Sequence, residues 1–324
     1  MDLLSDVLQT LRLSGAIFLR GEFTSPWGIA APGAEEIGKV LNPGRGYLLV
    51  FHIVAKGRCR IELDNGTVGE VEAPGVLLMP QGHAHSLADG EGRLLTPSHE
   101  LLPPPPWTEF PCLSHGGGGE ATRIICGYLH FSNVVFAPLL KDLPDLIALH
   151  FPQDKSTAGL RSILDYATHD AEVARPGAVS LVFRLAELFF VEVLRHQAPA
   201  LSLSDSGWYA ALQDPVVTQA LQQLHTDPAR AWTIEDLARS SDSSRSTLTE
   251  RFRLYFGYGP MQYLSKWRVQ SAAAKLMQSD VAVATAAAEA GYESESAFKR
   301  AFKRELGMSP KTWRKLETTP GRTG

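Results

Sequence analysis

The C-terminal third of the chain repeats itself. A shift of 50 residues superposes Ala238 on Ala288, Ser244 on Ser294, Ser246 on Ser296, Leu248 on Phe298 and Phe252 on Phe302. Without a gap it goes on to pair Phe256 with Leu306, Gly257 with Gly307, Pro260 with Pro310 and Tyr263 with Trp313. A match sustained at one offset indicates a duplicated unit. Each copy reads as a short helix (IEDLARS, 234–240; VATAAAEA, 283–290), a tight turn and a longer helix (RSTLTERFRLYFG; SESAFKRAFKRELG). Gly291 falls at the second turn, where a residue without Cβ takes positive φ at little cost. In the longer helices, apolar residues four apart (Leu248, Phe252, Phe256; Phe298, Phe302, Leu306) predict one buried stripe. The free face carries Arg245, Thr249, Arg251 and Arg253 in the first copy and Lys299, Arg300, Lys303 and Arg304 in the second. That is what a helix-turn-helix requires, with one helix bracing and the next presenting polar and basic side chains to a major groove. The segment between the copies, MQYLSKWRVQSAAAKLMQS (261–279), has no Gly or Pro. It predicts a rigid helix roughly 27 Å long at 1.5 Å per residue. Major-groove faces recur about every 34 Å, so one chain has the reach to read two adjacent grooves of a bent duplex.

Charge supports this only when read locally. The whole chain has 324 residues and a net charge of −4, which by itself argues against a polyanion partner. Residues 215–324 carry 16 Lys and Arg against 11 Asp and Glu, a net of +5, while residues 1–214 carry −9. Within 243–315 the balance is 13 basic to 6 acidic. Halves of opposite sign point to one part that meets an anion and one that does not. The N-terminus, MDLLSDVLQTLRL, lacks the basic start and apolar run of an export signal. The most apolar stretch (181–194) is interrupted by Arg184, Glu187 and Glu192 and is too short to span a bilayer. Three cysteines without CxxC spacing (Cys59, Cys112, Cys126) suggest neither a disulfide framework nor a thiolate zinc site. A cytoplasmic protein with no membrane partner is expected.

The first 140 residues read as β-structure. Apolar runs YLLVFHIV (47–54), CRIEL (59–63) and GVLLMP (75–80) are separated by turn signals at Lys56-Gly57, Asp64-Asn65-Gly66 and Ala73-Pro74-Gly75. The spacing predicts a small antiparallel barrel or jelly roll. From about 155 to 197 the period becomes helical, with a break at Arg175-Pro176-Gly177, which predicts a helical hairpin. Its second helix is apolar on more than one face and is expected to pack against another helix, from a second subunit in a homodimer. APALSLSDSG (198–207) reads as an exposed connection. The expected fold is therefore α+β in two domains: a β-barrel over 1–140 with a helical dimerisation segment (141–197), a linker (198–213), and an all-α double helix-turn-helix over 214–316.

Residues 214–316 closely resemble the DNA-binding domain of AraC-type transcription regulators (the AraC/XylS family). The resemblance rests on WTIEDLARS, GYGPMQYLSKWRVQSAAAKLM and GYESESAFKRAFKRELGMSPKTWR. It implies that bases of double-stranded promoter DNA are read by Ser246, Thr249 and Glu250 on the first long helix. On the second, it implies reading by Glu295, Ser296, Lys299 and Arg300. Glu250 departs from the basic or amide residue often found there, and either accepts from cytosine N4 or repels phosphate. Arg245, Arg251, Arg253, Lys303 and Arg304 are expected to contact phosphates, which add affinity and salt dependence without sequence information.

The first half is similar to the cupin-type sensory domain of one branch of these regulators, through SPWG (25–28), FHIVAKGRCRIEL (51–63), APGVLLMPQGHAHSLAD (73–89) and GGGGEATRIICGYLHF (116–131). Cupin enzymes hold a metal through an HxH pair, a Glu and a further His. Here His52 has no HxH partner, and only the element around Pro80, Gly82, His83 and His85 is present. His83 and His85, if both lie in strand, share a face and join His52 in a cavity. Two readings stay open: Trp27, His52, His83 and His85 form an effector pocket, or the three histidines hold a divalent metal. Cys126 stands where a redox-responsive member of this branch carries a reactive Cys, and Cys112 is the candidate second thiol for an oxidant signal. The GGGG run (116–119) lacks the Gly-Lys-Ser/Thr of a phosphate loop and reads as a hairpin connection. No catalytic triad or carboxylate pair is identifiable, so the expected function is a sequence-specific, effector- or redox-controlled transcription regulator, not an enzyme. The rival reading is a cupin metalloenzyme with a helical appendage.

Overall fold

The computed structural model describes residues 3–10, 13–41, 47–103, 111–131, 140, 142–151, 158–159, 161–162, 166, 178–201, 206–278 and 280–318. They fall into two compact units. One takes the described residues of 13–131 and 144–196, the other those of 1–12, 132–143 and 197–322.

The first unit is a two-sheet β fold. One sheet has the order β11-β6-β3-β10-β1-β9, with β1 at Leu13–Thr24, β3 at Tyr47–Lys56, β6 at Gly75–Met79, β9 at Cys112–Gly116, β10 at Ala121–Phe131 and β11 at Ile147–His150. The other has the order β5-β4-β7-β2-β8, with β2 at Gly28–Ala31, β4 at Arg58–Leu63, β5 at Val68–Glu72, β7 at His85–Ala88 and β8 at Thr96–Pro97. The three strands read from sequence are present, and of the three turn glycines Gly57 (φ 77) and Gly66 (φ 84) lie in the left-handed region while Gly75 opens β6. Both sheets contribute inward residues to one core, among them Phe23, Val50, Leu77 and Ile124 from the first and Ile29, Ile61, Val71 and Leu87 from the second. Alternation of inward and outward residues is clear on β4 and blurred on β3 and β6, which are buried over most of their length at the centre of the larger sheet. Helix α2 (Ala34–Leu41) lies against β3, and the short α3 (Ser98–Leu101) against β2 and β9.

Helix α4 (Ala178–Leu201) is the second arm of the expected hairpin, and its Phe190 ring lies 5.0 Å from that of Phe131. It continues through Pro199 to Leu201, so helix occupies the start of the segment read as linker. Most of the first arm lies outside the described residues.

The helical unit contains α5 (Trp208–Ala211), α6 (Pro215–Thr226), α7 (Ile234–Ser240), α8 (Arg245–Phe256), α9 (Pro260–Gln278), α10 (Val283–Glu289), α11 (Glu295–Leu306) and α12 (Pro310–Thr318). The repeat is visible in the caps. Ser244 and Ser294, 50 apart, each accept from the backbone N–H three residues on, and Gly257 and Gly307 end α8 and α11 in the left-handed region. Leu248, Phe252, Phe298 and Phe302 are fully buried, each removal from water contributing about 1.5–3 kcal/mol. The two turns differ by one residue: Asp242 (φ 48) precedes its N-cap serine by two positions and Gly291 (φ 77) by three.

Helix α1 (Leu3–Thr10), grouped with the barrel by its place in the sequence, packs instead on α6 and α9 in the helical unit, with Val7 fully buried. Short N-terminal helices carry no sequence mark of their docking surface.

Candidate nucleic-acid interface and interior cavity

On α8, Ser246 and Glu250 are exposed and Thr249 is half-buried, its hydroxyl donating to the Arg245 carbonyl at 2.7 Å. On α11, Ser296, Lys299 and Arg300 are exposed beside half-buried Glu295. The base-reading residues implied by the resemblance thus share the outward ends of the two long helices. The cations around them are not equivalent. Arg251 Nη1 lies 2.7 Å from both Asp214 carboxylate oxygens, and Tyr255 donates to the same carboxylate at 3.3 Å. Asp214 is also the N-cap of α6, accepting from the N–H groups of Val216 and Val217. A buried carboxylate that caps one helix and pairs with another ties them together. Arg251 is therefore engaged by Asp214, with its side chain still 40% exposed. Arg304 is held by Ser265 Oγ at 3.1 Å and by Glu305 at 2.9 Å, and Glu305 also pairs with Lys266. Arg245 pairs with Glu235 at 2.6 Å and Lys299 with Glu295 at 2.5 Å, both in water-exposed settings where such pairs exchange readily. Arg253, Arg300 and Lys303 are exposed and have no ion pair among the described residues. Two of these three lie on α11.

In the β unit, a cavity of about 520 Å³ opens between the sheets. Its wall is mainly apolar, from Leu19 and Phe23 on β1, Ile29 on β2, Val50 on β3, Leu87 on β7 and Leu113 on β9. His52 and His85 face each other within it, Nε2 to Nε2 at 2.7 Å. Both are buried, and burial pushes both pKa values below the usual imidazole range, so both rings are neutral near pH 7. His85 Nδ1 lies 2.9 Å from the His83 carbonyl oxygen, which only accepts, so His85 carries its hydrogen on Nδ1. His52 must then donate from Nε2, which leaves His52 Nδ1 a bare acceptor, and that atom is buried without a hydrogen-bond partner.

The other residues expected here lie elsewhere. His83 precedes β7, which starts at His85, so strand alternation does not place the two on one face. Its ring nitrogens meet Asp64 at 2.8 Å and Asp145 at 3.4 Å, and it does not line the cavity. Trp27 stacks on Phe23 with centroids 4.6 Å apart, inside the core and off the cavity wall. The residues present do not fit a metal: His52 and His85 spend their Nε2 atoms on each other and His83 is turned to carboxylates. Among the described residues no group of three or more His, Cys, Asp or Glu is placed to hold an ion.

The thiols are also kept apart. Cys126 pairs in register with Leu19 and lines the cavity, whereas Cys112 pairs with Arg20, the next residue along β1. Successive strand residues face opposite ways, so the two thiols project from opposite faces of the sheet. Burial pushes the Cys126 thiol up to about 12, against thiolate formation. The cavity residues Tyr128 and Leu113 escaped the sequence reading; inward alternation along β10 through Ile124, Cys126 and Tyr128 was the available signal.

No helix among the described residues is long and apolar enough to cross a membrane. A cupin family model matches residues 2–198, and a helix-turn-helix domain model matches 237–316. A putative AraC-like transcription regulator of Streptomyces lividans is 36% identical, over 83% of this chain and 88% of its own length. The HTH-type transcriptional regulator AlkR of Acinetobacter baylyi is 26% identical over 97% of this chain and 99% of its own. The crystal structure of ToxT from Vibrio cholerae O395 aligns over 94% of this chain and 98% of its own at 11% identity, with a TM-score of 0.37. These relatives are regulators, which sets aside the metalloenzyme reading. The chain belongs to the AraC-like transcription regulators, with a cupin domain ahead of its helix-turn-helix domain.

Proposed function

We propose that the protein is a cytoplasmic homodimer that reads specific promoter DNA through α8 and α11 and is controlled by a small molecule held in the cupin cavity. The observation that carries DNA reading is the duplicated, identically capped pair of long helices with exposed polar residues at their N-terminal ends. Ser246, Thr249, Glu250, Glu295, Ser296, Lys299 and Arg300 carry the base contacts, and Arg253 and Lys303, exposed and without an ion pair among the described residues, lead the contacts to phosphate. Dimerisation through α4 is supported by Leu188, an apolar side chain left 48% exposed on that helix. Effector control is supported by the cavity between the sheets and its histidine pair.

The test is fluorescence anisotropy on the DNA upstream of its own coding sequence against a scrambled duplex, with light scattering to count chains in the complex. Tight binding to the natural duplex, weakened by Lys299→Ala and Arg300→Ala, is expected. Equal binding to scrambled DNA, unmoved by either substitution, would overturn sequence reading.

A further inference from the structure

The cavity also constrains what enters it. At about 520 Å³ it falls within the range of roughly 300–1,000 Å³ of small-molecule sites. Among the described residues lining it there is no Lys or Arg, and the third imidazole of the lining, His99, is exposed on α3, so the buried wall holds no fixed cation to balance a carboxylate or phosphate. The lining carboxylate, Glu36, is exposed on α2 and would repel an anion on its way in. A cation finds no better partner inside, because the interior polar groups are uncharged: His52, His85, Ser98, Cys126 and Tyr128. Moving an unpaired charge from water into such a site is strongly unfavourable. A polyhydroxylated ligand fares little better, since most of the wall is hydrocarbon and would leave its hydroxyls without partners.

The histidine pair selects further. Its tautomers are fixed by the His83 carbonyl, and the one hydrogen-bonding position left over is the lone pair on His52 Nδ1. For a ligand in the cavity to reach that buried atom, the His52 ring must turn about Cβ–Cγ. What satisfies it is a donor, and a molecule that only accepts leaves it orphaned.

We infer that the cavity takes an uncharged, mostly apolar molecule bearing a single hydroxyl, whose hydrogen goes to His52 Nδ1, and that it rejects the carboxylate and ammonium forms of the same skeleton. This rests on the reading of the cavity as the effector site, and the two are separable by experiment. In full-length protein near neutral pH, the neutral dye N-phenyl-1-naphthylamine is displaced by four ten-carbon compounds kept below micelle formation: decan-1-ol, 1-methoxydecane, decanoate and decylammonium. Decan-1-ol is expected to displace the dye about tenfold more tightly than the ether, the value of one hydrogen bond to a buried, otherwise unpaired acceptor. Both ions are expected to bind more weakly than the ether. In His52→Phe the alcohol and the ether converge to within about twofold while the ions stay weak. If that variant does not fold, the ranking in the unaltered protein decides alone. Decanoate or decylammonium matching decan-1-ol overturns the inference and leaves the cavity reading standing, and so does an ether that matches the alcohol. If the dye does not bind, or if Leu113→Trp, which fills the cavity, leaves displacement unchanged, the cavity reading falls and takes the inference with it.

Discussion

At the scale of single residues, the basic side chains of the long helices divide by what the fold already asks of them. Arg251 and Arg300 look alike in the sequence, each on the polar face of a long helix. The structure gives the first to the Asp214 carboxylate, which is 7% exposed, and leaves the second in water. Arg251→Ala is therefore expected to lower the stability of the helical unit, read as a fall in Tm, while hardly changing the salt dependence of DNA binding. Arg300→Ala is expected to leave Tm in place and to narrow the difference in affinity between the natural and a scrambled duplex. A histidine makes the matching point about acid. His225 stacks on Trp267 at 3.8 Å and shares a hydrogen bond of 2.9 Å with Tyr263, and burial lowers its pKa to about 3. Asp6 Oδ2 lies 3.7 Å from its Nδ1, a spacing that suggests an ion pair, but the buried ring is neutral and the distance exceeds a hydrogen bond. As pH falls below about 6.5 the unfolded chain takes up this proton first, so stability present above that pH is lost at up to about 1.4 kcal/mol per pH unit. His225→Phe is expected to flatten the acid limb of Tm against pH. It flattens it only in part, because burial also lowers His52, His85 and His130.

At the scale of elements, legibility followed periodicity. The helices α8 and α11 were readable because an apolar stripe, serine caps and left-handed glycines all agree, and α9 because residues 261–279 hold no Gly or Pro; such local agreement makes segments fold consistently. The β3, β4 and β6 strands were readable from apolar runs between turns. What escaped was pairing across the fold. Nothing near His83 in the sequence says that strand begins two residues later, and nothing near Arg251 announces a carboxylate 37 positions away. The gapless offset of 50 concealed a further difference, the one-residue shift between the two turns. In the second turn Gly291 sits at φ 77, and a Cβ there would come within 2.5 Å of the Ala229 carbonyl oxygen. Gly291→Ala is expected to cost about 2 kcal/mol from strain at positive φ plus that clash, measured by denaturant unfolding. Asp242 occupies the corresponding left-handed position of the first turn at φ 48, so Asp242→Gly is expected to be nearly neutral.

At the scale of the whole molecule, charge and apolar surface are partitioned by task. Basic residues gather along the exposed faces of the two long helices, and the β unit holds a cavity with a mainly apolar wall. The net charge of −4 averages these and describes neither. The placement of α1 bears on how such a chain can be taken apart. Residues 3–10 are seated among α6 and α9, with Val7 buried, yet the chain runs from them directly into β1, a wall of the cavity. Asp142, also within the helical unit, accepts from the Trp208 backbone N–H at the start of α5. A chimera spliced at 198–213, joining this sensory half to another regulator's DNA-binding half, would leave α1 facing a foreign surface and strip the retained half's partner of its eight-residue cover. The exchangeable module is discontinuous, and grafts that carry α1 with the helices it covers are the ones that preserve a native interior.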